Sequence, residues 1–127
     1  MNKSLVLDAG ALIGVERRSP QLQELLRRAR SRNVSVVVPT VVVAQVVRSG
    51  GRQANLRRFL ADSYLSFVGV DYLTALEIGA LLGTSGTADV VDACVAVYAR
   101  RLDHCPVVTS DPGDIGKLDS TLPLIVV

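Results

Sequence analysis

Between Val34 and Val47 the chain reads VSVVVPTVVVAQVV, two valine-rich runs separated only by Pro39 and Thr40. Val34 to Val38 is a β-branched run stopped by proline, the pattern of a buried strand. A second strand cannot follow directly without a turn, and Thr40 can cap a helix. Val41 to Arg48 is therefore predicted as a buried helix in spite of its valines. Strand passing straight into helix, with apolar residues on every side of the strand, is the behaviour of a parallel sheet covered on both faces.

The same alternation runs through the chain. Ser4 to Leu7 is a short strand ending at Asp8, after which Ala9-Gly10 turns into a helical stretch toward Arg17. Ser19-Pro20 reads as N-cap and first helical residue of a second helix. Leu22, Leu25, Leu26 and Ala29 lie on one face of it, with Arg27, Arg28, Arg30 and Arg32 largely off that face. Gly50-Gly51 ends the valine-rich helix, and Arg52 to Leu60 is expected as an amphipathic one. Leu65 to Val70 is expected as a strand, Tyr72 to Leu82 as a helix, and GTSGT as a loop whose Thr87 caps a helix from Ala88 to about Arg101. Val107 to Thr109 forms a strand ending near Asp111, and Leu124 to Val127 a last one. No repeat or linker interrupts the series. The expectation is one domain over residues 1–127, an α/β fold in three layers, α/β/α, with a mainly parallel central sheet.

Composition agrees with that architecture. Hydrophobic residues make up 49% of the chain and aromatics only 4%, with no Trp, so the core must be built from Val, Leu, Ala and Ile. The net charge is only +2, but residues 1–62 hold 11 Lys and Arg against 4 acids, and residues 63–127 hold 3 against 8. Arg supplies 12 of the 14 cations, a choice suited to bidentate contact with phosphates or carboxylates, although a solvated Arg-rich surface accounts for it equally well. Cys94 and Cys105 sit in apolar surroundings without CxxC spacing, as reduced core residues of a cytoplasmic protein would. A zinc site on Cys94, His104 and Cys105 lacks a fourth ligand. Asp8 interrupts the N-terminal apolar run, which argues against a signal peptide. The apolar region from Val34 to Val47, 14 residues broken by Pro39, is too short to span a bilayer, so no membrane association is expected.

Ligands of parallel sheets bind beyond the carboxyl ends of the strands, so the polar residues just after strands belong together. Asp8 ends the first strand. Gln45 lies on the helix after the second, where an amide in an apolar run needs polar partners. Asp89 and Asp92, spaced i, i+3, open the helix after GTSGT, and Asp111 and Asp114 follow the Val107 strand. Asp111 and Asp114 in TSDPGD also serve as turn residues, and Asp89 as an N-cap. Asp8, wedged between VL and AGALI, has no such ready explanation. Acids of one sign converging on one edge repel unless a cation neutralises them, and oxygen-only ligands favour Mg²⁺ or Mn²⁺.

VLDAGALI, the apolar helix with a polar residue at 45 followed by Arg48, the segment ADVVDACVAV, and VVTSDPGDI together resemble the ordered motifs of the PIN domain. The match covers nearly the whole chain, and the compact length resembles the VapC toxins of bacterial VapBC toxin–antitoxin pairs. The resemblance implies a metal-dependent ribonuclease held inactive by a VapB-like antitoxin, and a homodimer. It implies that Asp8, Asp92 and Asp111 hold Mg²⁺ or Mn²⁺, with Asp89 and Asp114 as auxiliary acids. Attack of a metal-oriented water on an RNA phosphodiester would follow. The pattern departs at position 45, where glutamine stands in place of the family's glutamate and offers a carbonyl oxygen but no charge. That departure supports an alternative, a weakened or inactive PIN-like module kept for RNA or partner binding. In the ribonuclease reading the segment Arg48 to Arg58 is expected to steer RNA or hold an acidic antitoxin tail.

Overall fold

The structure, a computed structural model, describes residues 3–127. Its strands are β1 (Ser4–Leu7), β2 (Ser35–Pro39), β3 (Leu65–Val68), β4 (Val107–Thr109) and β5 (Leu124–Val126). The helices are α1 (Ala9–Glu16), α2 (Pro20–Ser31), α3 (Thr40–Val46), α4 (Ala54–Leu60), α5 (Tyr72–Ser85), α6 (Val90–Arg101) and α7 (Pro112–Leu118), with a 3₁₀ turn at Gly51–Gln53 before α4. All strand pairings are parallel, in the order β3-β2-β1-β4-β5. The valine runs explain the centre of this sheet: Val6, Leu7, Val38, Val107 and Val108 are fully buried, as strands with a helical layer on each face require.

Side-chain alternation separates the two layers. Val36 and Leu65 share a groove with α2 and α4, whereas their neighbours Val37 and Ser66 share one with α6. On the first face α1 packs against α2 and α4; on the second, α6 packs against α5 and α7. The fold is therefore α/β with helices on both faces of an all-parallel sheet. Among the described residues no single helix is long and apolar enough to cross a membrane, and Cys94 and Cys105 are buried free thiols.

Three local expectations change. Residues Pro112–Leu118 form a helix where only a turn was anticipated, because Asp111 caps it and Pro112 opens it, the same arrangement as Ser19-Pro20 at α2. The first part of GTSGT is the last turn of α5, closed by Gly86 in the left-handed region at φ 69. The cap of α6 is Asp89, not Thr87: the Asp89 side chain accepts the N–H of Asp92.

Candidate functional site

The chain builds β2 and β3 to one side of β1, then returns to build β4 and β5 on the other. Helices leaving β1 and β4 must diverge, and the crevice between them is where open α/β sheets take ligands. Asp8 follows β1 directly and Asp111 lies two residues beyond β4. Asp8 is only 5% exposed. Its N–H bonds to Val108 O at 3.2 Å, and its Oδ1 accepts the N–H of Ala11 at 2.9 Å, capping α1. Asp111 donates its N–H to Thr109 Oγ1 at 2.9 Å and caps α7 by accepting from Asp114 N at 3.4 Å. Asp89 caps α6 by accepting from Asp92 N at 2.9 Å.

Three helix N-termini thus present acids to one crevice, and the partial positive charge of each favours a carboxylate. Asp92, in the first turn of α6, reports how closely the acids gather. Burial pushes its carboxyl up to about 6, helped by the negative charges of Asp89, Asp8, Asp114 and Asp111. Burial also raises Asp8, against the opposing hydrogen bonds of the Thr109 hydroxyl and of the Ala11 and Gly10 N–H groups, while Asp111 adds to the rise. Asp114 is raised by a hydrogen bond and repulsion from Asp111, with Lys117 opposing. The sequence-derived acids Asp8, Asp89, Asp92, Asp111 and Asp114 therefore do feel one another.

The donor set, all carboxylate oxygens with excess negative charge, fits a hard divalent cation in its chemistry. Among the described residues, however, no three His, Cys, Asp or Glu side chains already stand in an arrangement that holds an ion. The caps give the physical reason: Asp8, Asp89 and Asp111 each commit one oxygen to a helix N-terminus, leaving the other for a ligand. Gln45 lies on α3, beside the helix that follows β1 and the helix that Asp89 caps. Its helix packs on α1 and α6, but Gln45 itself is exposed, so water serves the amide.

The Arg48 to Arg58 segment is also redistributed. Arg48 Nη1 donates to Ala44 O and Val47 O at 3.0 and 2.8 Å, and Arg57 Nη2 donates to Arg48 O at 2.9 Å. These two close the carboxyl end of α3. A groove with a volume of about 600 Å³ lies away from the acids, between α2, α4 and β3. Leu22, Leu26 and Phe59 contribute apolar surface to it, and Arg18, Arg27, Arg30 and Arg58 bring charge, with Arg30 paired to Asp62 of the same groove at 2.6 Å and Arg27 to Glu24 at 2.7 Å. Sequence reasoning missed it because its arginines come from separate elements; the repeated Arg on α2 was the only trace.

An acidic crevice thus lies at the switch point of a five-stranded parallel sheet. No protein-family model matches the chain, and no curated protein matches it. Solved structures do share the fold over its full length. A chain of VapBC2 from Rickettsia felis, bound to a DNA fragment from their promoter, is 18% identical with a TM-score of 0.75 and covers 98% of each chain. A chain of FitAB bound to an IR36 DNA fragment is 16% identical, TM-score 0.65, covering 96% of this chain and 94% of that one. A chain of FitAcB from Neisseria gonorrhoeae is 17% identical, TM-score 0.66, covering 95% and 96%.

These findings correct the assignment drawn from the motifs. Neither membership of the PIN-domain family, nor a VapC-like toxin ribonuclease, nor its weakened PIN-like variant is upheld. No family model supports them, and the structures that share the fold are described as two-protein complexes, two of them on DNA, rather than as ribonucleases. The likeness establishes the fold. The motifs misled because an acid just after a strand serves equally as the N-cap of the next helix, as Asp8 and Asp111 do here, and such a cap by itself carries no function.

Proposed function

We propose that this chain is one member of a toxin–antitoxin pair, carrying a divalent-cation site in its acidic crevice. The observation that supports the pairing is the likeness, over nearly all of both chains, to members of the VapBC2 and FitAB complexes. The groove between α2, α4 and β3 suits the partner: its apolar floor and arginine rim are complementary to an acidic amphipathic segment. A second copy of the chain is the proposed cover for the exposed start of α5, where Tyr72, Leu73 and Leu76 are 76%, 65% and 52% exposed.

Asp8, Asp92 and Asp111 are the proposed ligands of Mg²⁺ or Mn²⁺, with Asp89 and Asp114 beside them. When bound, such a cation supplies polarisation of a phosphate ester and a water acidic enough to attack it. The chain's own part is to gather carboxylates at three helix N-termini, where one oxygen of each cap is fixed and where, without a cation, their neighbourhood holds Asp8, Asp92 and Asp114 above the usual carboxylate range. Phosphodiester hydrolysis is accordingly the enzymatic activity to assay in the loaded protein.

Coexpression with the product of any small open reading frame found beside its gene tests the pairing. A stable complex by size-exclusion chromatography with light scattering is expected, and weakened by Arg27→Glu with Arg58→Glu. Two products that elute separately at micromolar concentration would contradict it.

A further inference from the structure

We propose that Thr109 is the positioning residue of the acidic crevice: its buried hydroxyl ties the Asp8 carboxyl beyond β1 to the backbone of Asp111 ahead of α7, so that the two acids move as one unit. The parallel register of β1 and β4 pairs Val6 with Val107 and Leu7 with Val108. One step further, Thr109 stands opposite Asp8. Thr109 is completely buried, and its Oγ1 accepts the Asp111 N–H at 2.9 Å. The hydroxyl proton then needs an acceptor of its own, because a buried polar group left unpaired is costly. The Asp8 carboxyl, opposite Thr109 in the β1–β4 pairing, is the neighbour able to take it.

The surrounding strands hold Thr109 still. Its carbonyl accepts the N–H of Val127 at 2.9 Å, and Asp8 N–H reaches Val108 O at 3.2 Å. Asp8 and Asp111 belong to different strands and cap different helices, so without this hydroxyl their separation would follow the packing of α1 against the turn before α7. A residue that orients ligands without touching the ion is worth about 10- to 100-fold in metal affinity.

The inference rests on the reading of the crevice as a cation site, and its test separates the two. Wild type, Thr109→Val and Thr109→Ser are compared by amide hydrogen exchange of Asp111 in metal-free protein and by Mn²⁺ titration calorimetry. Thr109→Val keeps the side-chain shape and removes the hydroxyl; Thr109→Ser keeps it. The Asp111 amide is expected to exchange about tenfold faster in Thr109→Val and to recover in Thr109→Ser, with Mn²⁺ affinity about tenfold lower in the first and recovered in the second. Unchanged exchange in Thr109→Val overturns the positioning role, as does an equal loss of affinity in both variants. Should wild type take up no Mn²⁺, the cation reading falls and the exchange data alone decide the role of Thr109. Thr109→Ala replaces Thr109→Val if the latter does not fold, and is read in the same way.

Discussion

Gly10 lies so close to Ser110 that a Cβ at position 10 would meet Ser110 Oγ at 2.0 Å. Turning the hydroxyl away relieves the worst of this contact, but Ser110 Cβ and N would still stand at 3.0 and 3.1 Å, so the neighbouring turn must give by a few tenths of an ångström. This contact presses the first turn of α1 against the turn between β4 and α7, and it brings Asp8 and Asp111 to one crevice. Gly10→Ala is expected to cost about 1–3 kcal/mol of stability, the usual range for overpacking. Urea unfolding measures the loss. An unchanged midpoint would mean that the two turns are free to part.

The acids also set a pH dependence. The carboxyl of Asp92 in the folded chain sits at about 6, above its ordinary 3.8, chiefly through burial and then through Asp89, Asp8, Asp114 and Asp111. A group raised in the fold contributes stability below its unfolded value and loses it as pH rises through the folded one. Metal-free protein should therefore lose stability between about pH 4 and 6. Because Asp92 is partly exposed, the loss after screening is on the order of 1 kcal/mol. Asp92→Asn should flatten this part of a thermal-melt pH profile, and a slope that survives the substitution would assign it to another group.

Asp119 acts in the opposite sense. Burial disfavours its charge, but the Thr121 hydroxyl, Arg100 and the Thr121 N–H outweigh burial and bring it down to about 2. Arg100 Nε and Thr121 Oγ1 both stand 2.5 Å from its carboxylate. That stabilisation is present above the unfolded value near 3.8 and is lost as pH falls toward 2. Asp119→Ala is expected to lower stability at pH 7 by about 2 kcal/mol, in the range for hydrogen bonds to charged groups. Denaturant titration at pH 7 and pH 2.5 checks it, since the difference from wild type should shrink at the lower pH.

Gln45→Glu isolates the role of position 45. The side chain is exposed on a helix that packs against α1 and α6, so a carboxylate there stays hydrated. Stability without metal should change by less than about 0.5 kcal/mol, as for ordinary surface substitutions. If position 45 borders the cation, Mn²⁺ affinity should rise about threefold to tenfold, as a further carboxylate at screened distance allows. Calorimetry showing no change would place Gln45 outside the site.

Much of the fold was legible because the valine runs leave few alternatives. Val34 to Val38 and Val107 to Thr109 could only be buried strands, and the Ser19-Pro20 pair marked α2 to the residue. Helix α7 was not legible: Gly113 and Gly116 weaken its helical signal, and Asp111-Pro112 is read as a turn unless its likeness to Ser19-Pro20 is noticed. The five acids could be grouped from their places after strands. Their double duty as caps could be suspected at Asp89 but not at Asp8, whose neighbours gave no turn signal. Gln45 shows the limit of local context, since a residue amid valines is buried only if its own face of the helix is covered. The groove between α2, α4 and β3 depends on which residues of three separate elements meet, and sequence order carries no record of that.

Mn²⁺ titration calorimetry on metal-free wild type and Asp92→Asn is the most direct test of the central claim, that the crevice between β1 and β4 is a cation site. Asp92 is the carboxyl on which the other four acids act together. Saturable binding by wild type is expected, with affinity at least about tenfold weaker in Asp92→Asn, whose metal-free fold should be as stable or more so. Wild type that binds no Mn²⁺, or binds it no better than Asp92→Asn does, would contradict the claim and leave the acids as helix caps.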